Sequence, residues 1–266
     1  MDLDHKTIVI IGGTTGLGLA AAKACAQAGA SVVITGRDRG RIDTALAEIG
    51  PRSQGMPGDA AVAGAAEEAI AFALKTFGGF DGLYHVAGGS GRRFGDGPLH
   101  EITDEGWRMT MQWNLDSIFF SNRAAVRSFL ERRVPGSVLN MGSVLGFAPS
   151  PGFFTTHAYA TAKAAIIGLT RSAAARYARD NVRFNVIAPA LVETPMSTRA
   201  RQNEAIMRFI KTKQPLDGGR IGSAEDAAEA AVFFLSDASR FITGQVLSVD
   251  GGWQLSDGQL GGEELT

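Results

Sequence analysis

The chain has 266 residues, with Lys+Arg 26 against Asp+Glu 27 and a formal net charge of −1. That balance argues against nucleic acid or an anionic membrane surface as a bulk partner. The lone cysteine, Cys25, excludes an internal disulfide and points to a reducing cytoplasm, and no apolar run approaches the roughly 20 residues of a membrane span. The polar start Met1–Lys6 leads straight into an apolar run and does not read as a signal peptide.

Strands and helices alternate along the chain. The β-branched run Thr7–Ile11 reads as a buried parallel strand. A glycine-rich turn follows, then an alanine-rich helix over 19–28, closed by Gly29. Ser31–Thr35 is the second strand, and Arg39–Ile49 a helix ended by Gly50-Pro51. A short strand is expected around 54–58 and a helix over 65–77. Gly82–Ala87 is the fourth strand, 104–129 one long helix, and Gly136–Met141 the fifth strand. A helix over 159–179 and strands over 182–188 and 246–249 complete the set. This alternation implies right-handed crossovers and a parallel sheet with helices on both faces. The expected fold is α/β, a Rossmann-like doubly wound sheet in a single domain spanning 1–266. Ligands in such sheets bind beyond the carboxyl ends of the strands. The Gly- and Glu-rich end, 255–266, reads either as a flexible tail or as an arm to a neighbouring subunit.

Two motifs carry the chemistry. Gly12-Gly13-Thr14-Thr15-Gly16-Leu17-Gly18 stands between a strand and a helix, the context that makes such a loop a dinucleotide site. Glycines let the backbone turn tightly and approach a pyrophosphate, and the helix N-terminus offers free N–H groups to the phosphates. The spacing is GxxxGxG, not GxGxxG. The second motif is Tyr159-Ala160-Thr161-Ala162-Lys163. On a helix, a spacing of four places both side chains on one face. A phenol titrates near pH 10 in water, roughly, and a nearby ammonium favours the phenolate. Such a pair makes tyrosine a general acid/base.

Together these motifs resemble the short-chain dehydrogenase/reductase family in its common single-domain form. Gly12, Gly16 and Gly18 match its glycine loop, and Asp59 the Asp that hydrogen-bonds the adenine. Ala87-Gly88 matches the end of its NNAG motif. Asn114, Ser143, Tyr159 and Lys163 match its catalytic tetrad. Pro189 and Thr194 match the segment flanking the nicotinamide, and Asp250-Gly251-Gly252 the closing motif. The resemblance implies hydride transfer between NADP(H) or NAD(H) and a small ketone or secondary alcohol, without a metal. Tyr159 would pass the proton, Lys163 would lower its pKa and hold the ribose, and Ser143 would fix the substrate oxygen. Asn114 would hold a water that relays protons from Lys163. Thr14, Thr15, Leu17, Ala60 and Val192 join the glycines, Asp59, Ala87, Gly88, Pro189 and Thr194 as expected cofactor contacts. A homotetramer or dimer is implied, built through the helices that begin near Asp104 and Tyr159.

At the end of the second strand, Gly36 takes the acidic position that suits NAD, and Arg37 follows it. A guanidinium there can pair with a 2′-phosphate, which favours NADP(H). Asp38, able to neutralise Arg37, and Thr15, where a basic residue often helps, are the counter-evidence. Ile11 replaces the family threonine, His85-Val86 replaces the two asparagines, and Ala190 replaces a glycine. His85 reads as structural. The segment between Ser143 and Tyr159 is long and apolar, so Phe147, Phe153, Phe154 and Met196 read as a pocket wall. The segment after Thr194 reads as a mobile lid. Its Arg199, Arg201, Arg208, Lys211 and Lys213 suit either an acidic substrate or a solvated face. Three alternatives stay open: a 3-oxoacyl-thioester reductase, a nucleotide-sensing protein without chemistry, and a scaffolding subunit. The enoyl-reductase branch is disfavoured, because it spaces Tyr and Lys more widely.

Overall fold

The computed structural model describes residues 1–258. Strand β1 (Thr7–Ile11) is buried at every position, as a strand covered on both faces requires. Ile8 and Ile10 point to one face, Val9 and Ile11 to the other. Against the first face pack helices α1 (Gly16–Gln27) and α9 (Ala224–Leu235). Against the second pack α3 (Ala65–Phe77) and α5 (Ser117–Arg132). Each such fully buried side chain contributes roughly 1.5–3 kcal/mol relative to exposure.

Six further strands complete a parallel sheet: β2 (Ser31–Gly36), β3 (Ser53–Pro57), β4 (Gly82–His85), β5 (Gly136–Met141), β6 (Val182–Pro189) and β7 (Val246–Val249). Their order is β3-β2-β1-β4-β5-β6-β7. The chain runs outward from β1 to β3, then returns to lay β4 on the other side of β1. The strand order therefore reverses between β1 and β4, and a crevice opens beyond their carboxyl ends. The remaining helices are α2 (Arg39–Ile49), α4 (Asp104–Met111), α6 (His157–Tyr177), α7 (Thr198–Arg201) and α8 (Glu204–Lys213). No helix among the described residues is long and apolar enough to cross a membrane.

Helices α7, α8 and α9 are additions to the sequence reading, α1 starts at Gly16 instead of Leu19, and other boundaries shift as well. Strand β4 stops at His85, because the amides of Val86 and Ala87 both turn to the Ile11 carbonyl, each at 2.9 Å. The long helix runs on to Arg132, but Gln112–Asp116 is a π-helical turn between α4 and α5. Helix α6 starts at His157 and gives way to a 3₁₀ turn at Ala178–Asp180. The expected tail begins by docking on α8: Ser256 Oγ donates to the Thr212 carbonyl at 2.7 Å, and Thr212 Oγ1 to the Gly258 carbonyl at 2.8 Å. Residues 259–266 lie outside the described structure.

Candidate active site

One cavity of about 770 Å³ opens beyond the strand ends. Its cofactor side is made mostly of main chain. Gly12 has φ +90°, and a Cβ there would stand 2.7 Å from the Ala87 nitrogen. The Gly12 and Gly13 amides both donate to the Thr35 carbonyl, at 3.2 and 3.1 Å, which ties the loop to the end of β2. Thr15 is the N-cap of α1, yet its side chain makes no capping bond. The first-turn amides of α1 thus lack a side-chain acceptor, and Thr14, Thr15, Gly16 and Leu17 line the cavity. That is a fitting cradle for a dinucleotide pyrophosphate. Gly18 does not line it. A Cβ at Gly18 would meet the Gly12 oxygen at 2.0 Å, so its role is close packing of helix on loop, a correction to the expected contact.

Arg37 and Arg41 line the cavity beyond β2. Asp38 also lines the cavity, beside Arg37, but makes no ion pair with it. Its Oδ1 accepts from the Arg41 amide at 2.8 Å and caps α2. Arg37 makes no ion pair among the described residues, and its guanidinium lies 5.8 Å from the Trp113 ring centroid. Asp59 and Ala60 follow β3 and also line the cavity, with Asp59 Oδ1 accepting from the Ala61 amide at 3.0 Å. Ala87, Gly88, Pro189, Val192 and Thr194 form the facing rim.

Three side chains converge at the carboxyl end of β5. Ser143 follows that strand, its Oγ accepts from the Leu145 amide at 3.2 Å, and its hydroxyl acts on the Tyr159 phenol to lower its pKa. Tyr159 and Lys163 stand one turn apart on α6, with Lys163 Nζ 5.4 Å from the phenol ring centroid. Lys163 Nζ donates to the Met141 carbonyl at 2.8 Å. Asn114 is buried behind this group, in the π-helical turn, and does not line the cavity. Its Nδ2 donates to the Gly89 and Thr110 carbonyls, each at 2.9 Å, and its Oδ1 accepts from the Gly89 amide at 3.1 Å. The side chain therefore anchors the loop after β4, and its donors are spent on main chain rather than on a water.

The sequence matches a family model described as enoyl-(acyl carrier protein) reductase over residues 12–254. It is 33% identical to 2,5-dichloro-2,5-cyclohexadiene-1,4-diol dehydrogenase of Sphingobium indicum over 95% of this chain and 98% of that protein. It is 35% identical to 2-(S)-hydroxypropyl-CoM dehydrogenase 3 of Xanthobacter autotrophicus over 94% of this chain and 97% of that protein. A short-chain type dehydrogenase/reductase from Mycobacterium ulcerans superposes with a TM-score of 0.89 at 29% identity, covering 96% of this chain and 92% of that one. The chain belongs to the short-chain dehydrogenase/reductase family. It is accordingly an NAD(P)-dependent oxidoreductase that transfers hydride at CH–OH groups.

The electrostatics of this dehydrogenase/reductase correct one expectation. In the structure Lys163 does not draw the phenol toward neutrality. Burial pushes Tyr159 up to about 12, against a lowering hydrogen bond from Ser143. The same desolvation pushes Lys163 down to about 7. His85 is structural, as read. It is fully buried, with Nδ1 2.7 Å from Ser121 Oγ and Nε2 3.1 Å from the Ala87 carbonyl. Burial, then repulsion from Lys163, lowers it to about 3, so it stays neutral. Cys25 is buried and pushed up to about 12 by burial, which suits a packing residue.

The substrate side is made of side chains from separate segments. Phe154 and Met196 line it as expected, but Phe153 packs on Phe209 with centroids 5.4 Å apart, and Phe147 is exposed. The lid rests on a buried cluster of Val144, Ala200, Ile206, Ile210 and Trp253. Trp253, just past the closing motif, also lines the cavity and donates its Nε1–H to the Ala148 carbonyl at 3.0 Å. Sequence reasoning missed Trp253, Trp113, Arg41 and Asp96. Asp96 is buried, and its two oxygens accept from the amides of Ala158 at 3.0 Å and Tyr159 at 3.1 Å. It thus holds the N-terminus of the helix that carries Tyr159. An apolar residue after the closing motif was the one available signal for Trp253. Nothing local marks Asp96.

Proposed function

We propose that this enzyme interconverts a ketone and a secondary alcohol with NADP(H) in preference to NAD(H), using Tyr159 as general acid/base. The observation that carries the reading is the convergence of Ser143, Tyr159 and Lys163 beside a main-chain cradle for a dinucleotide. A bound nicotinamide nucleotide supplies the hydride donor or acceptor. Ser143 orients the substrate oxygen, and Tyr159 Oη gives or takes its proton. A phenol held near 12 is protonated at neutral pH, so the free site is set as an acid, the state that carbonyl reduction uses. Lys163, held near neutrality at about 7, is suited to exchange a proton with the phenol and its surroundings. Asn114 contributes by fixing Gly89, and Asp96 by fixing the start of α6.

NADP(H) preference is supported by Arg37, which lacks an acidic partner because Asp38 serves as a helix cap. Arg41, on the next turn, lines the same region. The exposed Trp107, Phe119 and Leu130 on α4 and α5 support assembly into a homo-oligomer through those helices. The test is turnover. Wild type should oxidise NADPH with members of a ketone and 3-oxoacyl-thioester panel. Tyr159→Phe should lose about a thousandfold in kcat while binding NADPH within about threefold of wild type. Unchanged turnover in Tyr159→Phe would overturn the reading.

A further inference from the structure

Two cations in the substrate half make no ion pair among the described residues. Arg92 opens the 3₁₀ turn Arg92–Phe94 in the loop after β4, and Arg199 lies on α7 in the lid. Both line the cavity, from segments far apart in the chain. Other arginines of these two segments are accounted for. Arg93 stacks on Phe94 and Trp113, at 4.7 and 4.6 Å from the ring centroids. Arg201 pairs with Glu193, and Arg208 lies 3.7 Å from Glu204. No ion pair among the described residues includes Arg92 or Arg199.

The acid that acts on Arg92, Asp96, has its two oxygens engaged by the amides of Ala158 and Tyr159. Arg92 Nη2 donates to the Phe153 carbonyl at 3.3 Å, which steadies the guanidinium against the cavity wall. Arg92 and Arg199 are both solvent-exposed at the cavity mouth, and partial desolvation, then repulsion from Arg199, holds Arg92 below the usual arginine range. Two unpaired like charges lining one cavity favour an anion there, and guanidinium forks suit planar or tetrahedral oxyanions. The same cavity carries the apolar side chains of Leu145, Phe154, Met196 and Trp253.

We propose that Arg92 and Arg199 form an anion subsite for the substrate, so that the enzyme acts on ketones or alcohols bearing an apolar body and a terminal oxyacid group. The subsite rests on the carbonyl/alcohol reading above. It also gives the lid a part in recognition. Because α7 brings one arm of the clamp, an anionic substrate draws the lid onto the loop after β4. Carboxylate, sulfonate and phosphate share the required chemistry, and the arms of the test separate them.

Wild-type protein saturated with NADP⁺ would be titrated calorimetrically with 4-acetylbenzoate, 4-acetylbenzenesulfonate, 4-acetylphenyl phosphate and the neutral methyl 4-acetylbenzoate. The oxidised cofactor prevents turnover, so binding is read alone. At least one anion should bind about tenfold tighter than the ester or better, and Arg92→Gln and Arg199→Gln should each erase about tenfold of that preference. NADP⁺ affinity should stay within about twofold in both variants. Equal binding of ester and anions in wild type, or no anion binding at millimolar concentration, overturns the subsite. So does a preference that survives both substitutions. A matching loss of NADP⁺ affinity also overturns it, by giving the arginines to the cofactor. NADPH oxidation is followed separately. Anions that bind without turnover leave the subsite standing and count against the enzymatic reading, whereas turnover without anion preference does the reverse.

Discussion

The two sides of the cavity are built from different material. On the cofactor side, contacts come from backbone: the Gly12–Gly13 amides on Thr35, the uncapped first turn of α1, and the crossing of Gly12 with Ala87. All of it hangs from adjacent strands of one sheet. On the substrate side, contacts come from side chains of the loop after β4, the segment after β5, the lid and the residues past β7. The first surface tolerates little change, because an added Cβ collides with main chain. The second is assembled from exchangeable side chains on a fixed frame. One frame can thus serve many substrates while holding one kind of cofactor.

Three measurements would sharpen or break that contrast. The largest expected effect is Arg37→Ala, an exception on the cofactor side because it acts through a side chain. NADPH affinity should fall about tenfold to hundredfold while NADH affinity changes by less than about twofold. Equal losses for both would show that Arg37 does not read the 2′ position. Next is Asp96→Asn, a substitution on the substrate side that reaches the catalytic helix. Loss of the charge at the N-terminus of α6 should cost about 1–2 kcal/mol and a few degrees of melting temperature. kcat should fall more than KM rises, because the phenol rather than the substrate is displaced. An unchanged kcat with lowered stability would leave Asp96 a purely structural cap.

The smallest effect concerns Lys163, where the two sides meet. Its folded pKa is about 7 and its ordinary value 10.5. Between these the unfolded chain binds a proton that the folded chain does not, so Lys163 makes stability rise with pH from about 7 to 10.5. Below 7 both states are charged and no slope arises. Melting of the cofactor-free protein from about pH 7 to about pH 9 should therefore improve for wild type relative to Lys163→Met. Parallel curves would show that the buried ammonium keeps its charge.

The contrast also explains what the sequence made legible. β-branched runs such as Thr7–Ile11 announce buried strands, and a glycine loop between strand and helix announces its ligand. Tyr159 and Lys163 are local to one helix, so their register could be read directly. Asp96 and Tyr159 meet only after β5 and α6 have been placed, and no local pattern foretells a cap that distant. The π-helical turn at Gln112–Asp116 has no residue signature, so the expected single helix missed it. Asn114 was expected to hold a water, but its side-chain partners are main-chain groups. Its amide is consumed by Gly89 and Thr110, a matter of three-dimensional fit. The pKa of Tyr159 was expected to fall because a charge stood nearby. Burial, invisible in sequence, raises it instead, against a lowering by Ser143.

The seating of Trp253 in the lid cluster bears on how the molecule is made. The glycine loop, both flanking strands and the Ala87 crossing are all encoded before residue 90, so the dinucleotide cradle can form early in synthesis. The indole that closes the floor under α8 is encoded far later, close to the end of the described chain. A nascent chain therefore passes through a period in which it holds the means to grip a nucleotide but has no enclosed chamber for a reactant. The chamber gains its indole wall only once Trp253 packs against Phe154 and Phe209 and bonds Ala148.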